Sequence, residues 1–241
     1  MNLYHDSRAP VPEVLSHRHA TELRSYAERG TWWSAQERSR IAQEARNARV
    51  AAGLQEPNET SDVHCDDDPE LPGSAREVVR QLALSTVQLD RAFLEDALAS
   101  GVSDGQYVEI VGIVARIVNL DVFARGIDVP TRELGAVLKG EPSRARPPTA
   151  IEEGAWLPSI PCGHRGGAEG RALYRDDMQP FIYRALSLVP HEARRNMELG
   201  DDQYLPLQRF FDFGYSHHPG LTRPQVEVVA ARTAAINECF Y

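Results

Sequence analysis

Along most of this chain apolar residues recur at the three- and four-residue intervals of an α-helix, and runs with strand-like alternation are missing. The longest such pattern covers 104–126. There Tyr107, Val108, Ile110, Val111, Val114, Ile117, Val118 and Phe123 occupy most of the helix circumference, which predicts a central, largely buried helix. Ser103 and Gln106 form a capping box at its start. A second box, Ser34 with Glu37, opens a helix over 34–53 with an apolar stripe at Ile41, Ala45, Ala48 and Ala52. A third, Thr222 with Gln225, opens a final helix reaching Tyr241, with Pro224 in the first turn, where a missing N–H costs little. Further helices are predicted over 17–30, stopped at Gly30, and from Ser74 as cap with Val78, Val79, Leu82 and Leu84. Others are predicted over 89–100, 131–139, 178–188 and 190–199. The predicted fold class is all-α.

The punctuation between these helices sets the expected organisation. Residues 56–73 are strongly polar and read as a surface loop, and 200–220 are irregular, with Phe210, Phe211, Phe213 and Tyr215 clustered. Residues 140–170, rich in Pro, Gly and Arg, have little periodicity. The reading is one helical domain: an N-terminal half (1–139), a connector (140–176) and a C-terminal half (177–241). The three capping boxes suggest a degenerate repeat. Laying Ser34 on Thr222 puts Ile41 on Val229 and Ala51 on Cys239.

Composition narrows the function classes. A 42% hydrophobic content over 241 residues allows a real core. With 35 acidic against 26 basic residues the formal charge is −9, which argues against nucleic acid or an anionic membrane surface as partner. The N-terminus lacks a signal-type apolar core, and the most apolar stretch is interrupted by Arg116. A cytoplasmic protein without membrane attachment is expected. Three cysteines, Cys65, Cys162 and Cys239, are an odd and dispersed set, not a disulfide framework. Phosphate loops, dinucleotide fingerprints and hydrolase elbows are missing, so no cofactor is expected.

The candidate chemistry concentrates in LTRPQVEVVAARTAAINECFY, the last 21 residues, where Glu227 and Cys239 are separated by eleven residues. This E-x11-C spacing resembles the redox segment of the alkylhydroperoxidase D-like (carboxymuconolactone decarboxylase) family, which continues as C-x2-C-x3-H. The stretches 102–130 and RALSLVP from Arg184 share the resemblance. It implies a helical bundle and thiol-dependent reduction of a small hydroperoxide. Cys239 would be one redox centre and Glu227 a proton-relay acid, with a thiol reductant and a homo-oligomer as partners. The family's second thiol would fall on the residue after Tyr241. The expectation is therefore a chain that continues there with cysteine, or with selenocysteine, whose codon is read as a stop.

The residues themselves leave other readings open. Cys239 also fits a small buried hydrophobe and Glu227 a solvated carboxylate. If a helix ends near Ala235 and Asn237 caps another, Cys239 lies in a first turn whose amides favour a thiolate. In an unbroken helix Glu227 and Cys239 lie ~18 Å apart along the axis, out of reach of direct proton transfer. Glu109 and Arg116, two turns apart, line the redox pocket or an oligomer interface in one reading and form an internal ion pair or a solvated strip in the other. His217 and His218 precede the last helix and are candidate bases. Cys162-Gly163-His164 is a thiol with a base nearby, in a loop that Gly166 and Gly167 would make mobile. His64 and Cys65, followed by Asp66, Asp67 and Asp68, are consecutive, whereas metal ligands of defined geometry are spaced, so no metal is expected. The alternatives to the peroxidase reading are a non-catalytic scaffold or binding protein on the same fold, and a decarboxylase-type lyase.

Overall fold

Helix α5 (Asp104–Gly126) starts where its capping box sets it: Ser103 Oγ accepts from Gln106 N at 3.2 Å, and Gln106 Oε1 accepts from Ser103 N at 2.9 Å. The computed structural model describes residues 2–57, 70–174 and 179–239. The preceding helices are α1 (Glu13–Ser25), α2 (Ala35–Ala51), α3 (Gly73–Leu84) and α4 (Arg91–Ala99). After α5 come α6 (Gly167–Leu173), α7 (Phe181–Arg184), α8 (Pro190–Gln203) and α9 (Arg223–Ile236). Among the described residues the protein is all-helical. The nearest approach to a sheet is an isolated bridge between Ile151 and Ser159. No described helix is long and apolar enough to cross a membrane.

The chain divides into two compact units, Met1–Met197 and Glu198–Tyr241, with the boundary inside α8. In the first, α2, α3 and α5 pack on one another. Ile41, Ala42 and Ala45 of α2, Val78 and Val79 of α3, and Ile110, Ile113 and Ile117 of α5 are buried there. Full burial of each large aliphatic side chain contributes roughly 1.5–3 kcal/mol, which makes this triplet the main source of stability. A neighbouring cluster joins Val108 of α5 to Ile160, Leu173, Tyr174, Leu188 and Val189. The described part of the connector, residues 140–174, thus supplies core as well as connection.

Several predicted elements shift, each for a local reason. Helix α1 spans Glu13–Ser25 rather than 17–30. Gly30, expected as its left-handed stop, instead lies where a Cβ would come within 1.7 Å of Glu109 Oε1. The α3 cap is Pro72, and Ser74 lies inside the helix. Residues 131–139 are not helical, because Gly135 N and Leu138 N donate to Leu23 O and Ala27 O at the end of α1. Helix α7 has only four residues, and α8 runs to Gln203, four beyond the predicted 199.

Candidate functional site

The second unit carries the segment singled out by the E-x11-C spacing. Helix α9 starts after Thr222, whose N donates to Gln225 Oε1 at 2.8 Å. It is unbroken from Arg223 to Ile236, three residues before the thiol. Its end is a Schellman turn. Glu238 takes φ +49°, Glu238 N donates to Ala235 O at 3.4 Å and Cys239 N to Ala234 O at 2.9 Å. Asn237 is therefore the C-cap of α9, with Nδ2 donating to Thr233 O at 2.9 Å, and not the N-cap of a following helix. The expected ring of amides around Cys239 is replaced by the carbonyl end of α9. The thiol is free and exposed, not a buried hydrophobe.

Glu227 is engaged elsewhere. Its Oε2 accepts from Tyr204 Oη at 2.7 Å, and its Oε1 is ion-paired with Arg223 Nε on the preceding turn. The Tyr204 hydroxyl, followed by Arg223, holds its carboxyl below the usual range. It is a carboxylate at neutral pH, an acceptor rather than a donor of protons. Ile236, the last helical residue before the thiol, lies nine positions on, about 14 Å along the axis. A direct relay from Glu227 to Cys239 within one chain is therefore not available. Glu227 is also about 200° around the helix from Val229 at 100° per residue, away from the face formed by exposed Val228, Val229 and Ile236.

His217 and His218 precede α9, a helix of 14 residues, so its length of roughly 21 Å separates them from its far end. His217 uses both ring nitrogens locally, Nε2 with Asp202 O at 3.0 Å and Nδ1 with Tyr215 Oη at 3.3 Å. Burial and then His217 lower the pKa of His218, which keeps it neutral.

Glu109 and Arg116 belong to the first unit, and both are buried. They are paired not with each other but with other buried charges, in a network larger than the sequence suggests. Arg38 Nη1 pairs with Glu109 Oε1 and with Glu192 Oε1, the latter at 2.8 Å. Arg116 pairs with Glu192 Oε2 and, at 3.0 Å, with Glu22 Oε2. Arg195, at the rim, reaches Glu22 Oε1 at 3.5 Å. Trp32 N donates to Glu109 Oε2 at 2.6 Å. Glu192 sits between two guanidiniums. Burial alone would raise its pKa, but Arg116 and Arg38 outweigh that and push it down to about 2. Glu109 has one guanidinium and Glu22 has one close by, so burial wins and both are raised. These two directions fit one picture in which Glu192 is the ionised centre and the flanking acids protonate first.

Arg38, Glu22 and Glu192 were not singled out in the sequence. The signal available was Arg38 standing three residues before Ile41 and seven before Ala45, in the register of the apolar stripe. The stretch from His64 to Asp68 lies outside the described residues. Among the described residues no group of three metal-ligating side chains comes together.

Comparison with models of protein families, with curated proteins and with solved structures finds no match to this chain.

Proposed function

We propose that the chain is a thiol-dependent oxidoreductase of alkylhydroperoxidase D-like type, acting through Cys239 on a small hydroperoxide. The observation that carries this reading is the free, exposed thiol presented just past the end of α9. The thiolate attacks one peroxide oxygen, the O–O bond breaks, and the alcohol leaves, with Cys239 becoming a sulfenic acid. An external thiol condenses with it, releasing water and leaving a mixed disulfide. A second external thiol then releases the reductant as its disulfide and restores Cys239. Glu227 serves in this reading to anchor α9 through Tyr204 and Arg223. The exposed Val228, Val229 and Ile236 on the opposite face favour association with a second copy. The helical bundle and the degenerate repeat of α2 and α9 belong to the same proposal.

The test is consumption of hydrogen peroxide and of an alkyl hydroperoxide with dithiothreitol as reductant, together with sulfenic-acid trapping resolved by peptide. Turnover that disappears in C239S, with the adduct on the Cys239 peptide, is the expected result. No turnover and an unlabelled Cys239 overturn the proposal. A non-catalytic scaffold is the second reading. It is favoured by the closed pairing of Glu22, Arg38, Glu109, Arg116 and Glu192, which commits these five buried charges to one another.

A further inference from the structure

We propose that Cys162 is a second reactive thiol, a site of reversible mixed-disulfide formation with small anionic disulfides, with Arg184 as its cationic partner. The half-buried sulfur donates to Gln179 O and accepts from Arg184 Nη1, both at 3.9 Å. Arg184 is itself 8% exposed. Its Nη1 also meets Glu153 Oε2 at 2.8 Å, and its guanidinium carbon lies 4.4 Å from the centre of the Phe181 ring. Its Nε, also buried, has no hydrogen-bond partner among the described residues. A buried guanidinium with a donor unused lies against the sulfur and gives an incoming anion a cationic neighbour. Arg165, more than half exposed, flanks the site through its own pair with Glu153 Oε1 at 2.8 Å.

The backbone around the thiol is clamped, contrary to the mobile loop that Gly166 and Gly167 suggest. Ile160 N donates to Ser187 Oγ at 2.8 Å, and Tyr174 Oη donates to Ile160 O at 3.0 Å. Burial pushes the Tyr174 hydroxyl up to about 12, so it remains a donor. Gly166 lies against Pro161, and a Cβ there would fall 2.1 Å from Pro161 O. This glycine serves close approach. The sulfur is consequently held in one place beside the guanidinium.

The thiolate is the nucleophile, and the neighbouring guanidinium favours the approach of an anionic disulfide. It attacks one sulfur of the incoming disulfide. A new S–S bond to Cys162 forms as the old one breaks, and the departing half leaves as a thiolate with the bonding electron pair. Cys162 is oxidised and that half is reduced, while the Cys162 proton passes to solvent. No peroxide is needed, so this proposal and that for Cys239 fail independently.

The experiment exposes the full chain to limiting oxidised glutathione, which is anionic, or cystamine, which is cationic, and reads adducts peptide by peptide. The preference for glutathione over cystamine at Cys162 is expected to exceed that at Cys239, beside Glu238, by roughly fivefold and to shrink with added salt. R184Q is expected to slow glutathionylation at Cys162 by roughly three- to tenfold, through loss of the cation that draws in the anionic disulfide. R184K should recover most of the rate, and Cys239 should be unaffected by either substitution. Equal preferences at the two cysteines in the wild-type chain overturn the proposal, whether or not R184Q folds. So does a Cys162 rate no higher than in the urea-unfolded chain, or one unchanged in a folded R184Q.

Discussion

Replacing Glu192 by glutamine tests whether the first unit is held by one shared carboxylate. Glu192 accepts from Arg38 at 2.8 Å and is also paired with Arg116, and all three side chains are buried. Glutamine keeps the volume but removes the charge and turns an amide N–H₂ toward one of the two guanidiniums. The pKa gives a magnitude: lowering from 4.5 to about 2 corresponds to about 3 kcal/mol of stabilisation at neutral pH. Breaking a buried ion pair on one side costs about 3–5 kcal/mol, in agreement. Glu109→Gln is the matched control. It leaves Arg38 its contact with Glu192, and the glutamine oxygen still accepts from Trp32 N, so about 1 kcal/mol is expected. Trp32, Trp33 and Trp156, the three tryptophans of the chain, all lie in the first unit, so fluorescence in a urea titration reads that unit alone. E192Q should shift the midpoint at unchanged slope by more than twice the shift of E109Q. In heating, E192Q should lower Tm by roughly 6–20 °C. An E192Q protein within 1 kcal/mol of wild type, or less destabilised than E109Q, refutes the shared-carboxylate account.

The same acids fix the sign of the pH dependence. The folded-state pKa of Glu192 is depressed, so its stabilisation is present above 4.5 and is lost as pH falls toward about 2. Those of Glu22 and Glu109 are raised by burial, so their contribution is present below 4.5 and is lost as pH rises through their folded values. The contribution of Glu22 and Glu109 should accordingly be greatest in mild acid and decline as pH rises. E109Q should flatten that decline, and an unchanged slope in E109Q refutes the assignment.

Three further substitutions read separate parts of the fold. Gly30→Ala places a methyl 1.7 Å from Glu109 Oε1 and 2.8 Å from Arg38 Nη1, and should cost about 1–3 kcal/mol by displacing the network. Urea midpoints check it. Asp121→Asn breaks the bidentate pair in which Arg46 Nε and Nη2 donate at 2.8 and 2.7 Å, and should lower stability by about 3 kcal/mol, read from the same titration. Ser103→Ala removes the acceptor that caps α5 and should cost about 1 kcal/mol, with amide exchange accelerating at Gln106 before the middle of the helix.

Where a segment's own side chains decide its structure, the sequence was sufficient. Helix α5 runs over the predicted 104–126, because the Ser103 box sets one end and a near-continuous apolar surface forces burial. The box at Ser34 likewise set the start of α2. Where distant partners decide, the pattern was silent or misleading. Residues 131–139 have helical spacing, yet Gly135 and Leu138 spend their amides on the carbonyls of Leu23 in α1 and of Ala27 just beyond it. Glu22, Arg38 and Glu192 come from three helices, and no local spacing links charges 154 positions apart, as Arg38 and Glu192 are. Their grouping is decided by which helix faces meet. The candidate redox segment shows the same division. Its residues and the start of α9 were legible, whereas the Schellman turn that removes Cys239 from any amide end depends on Glu238 adopting a left-handed backbone, with φ +49°, that its residue type does not announce. A reactive role for Cys239 must therefore draw on its exposure and on the reductant.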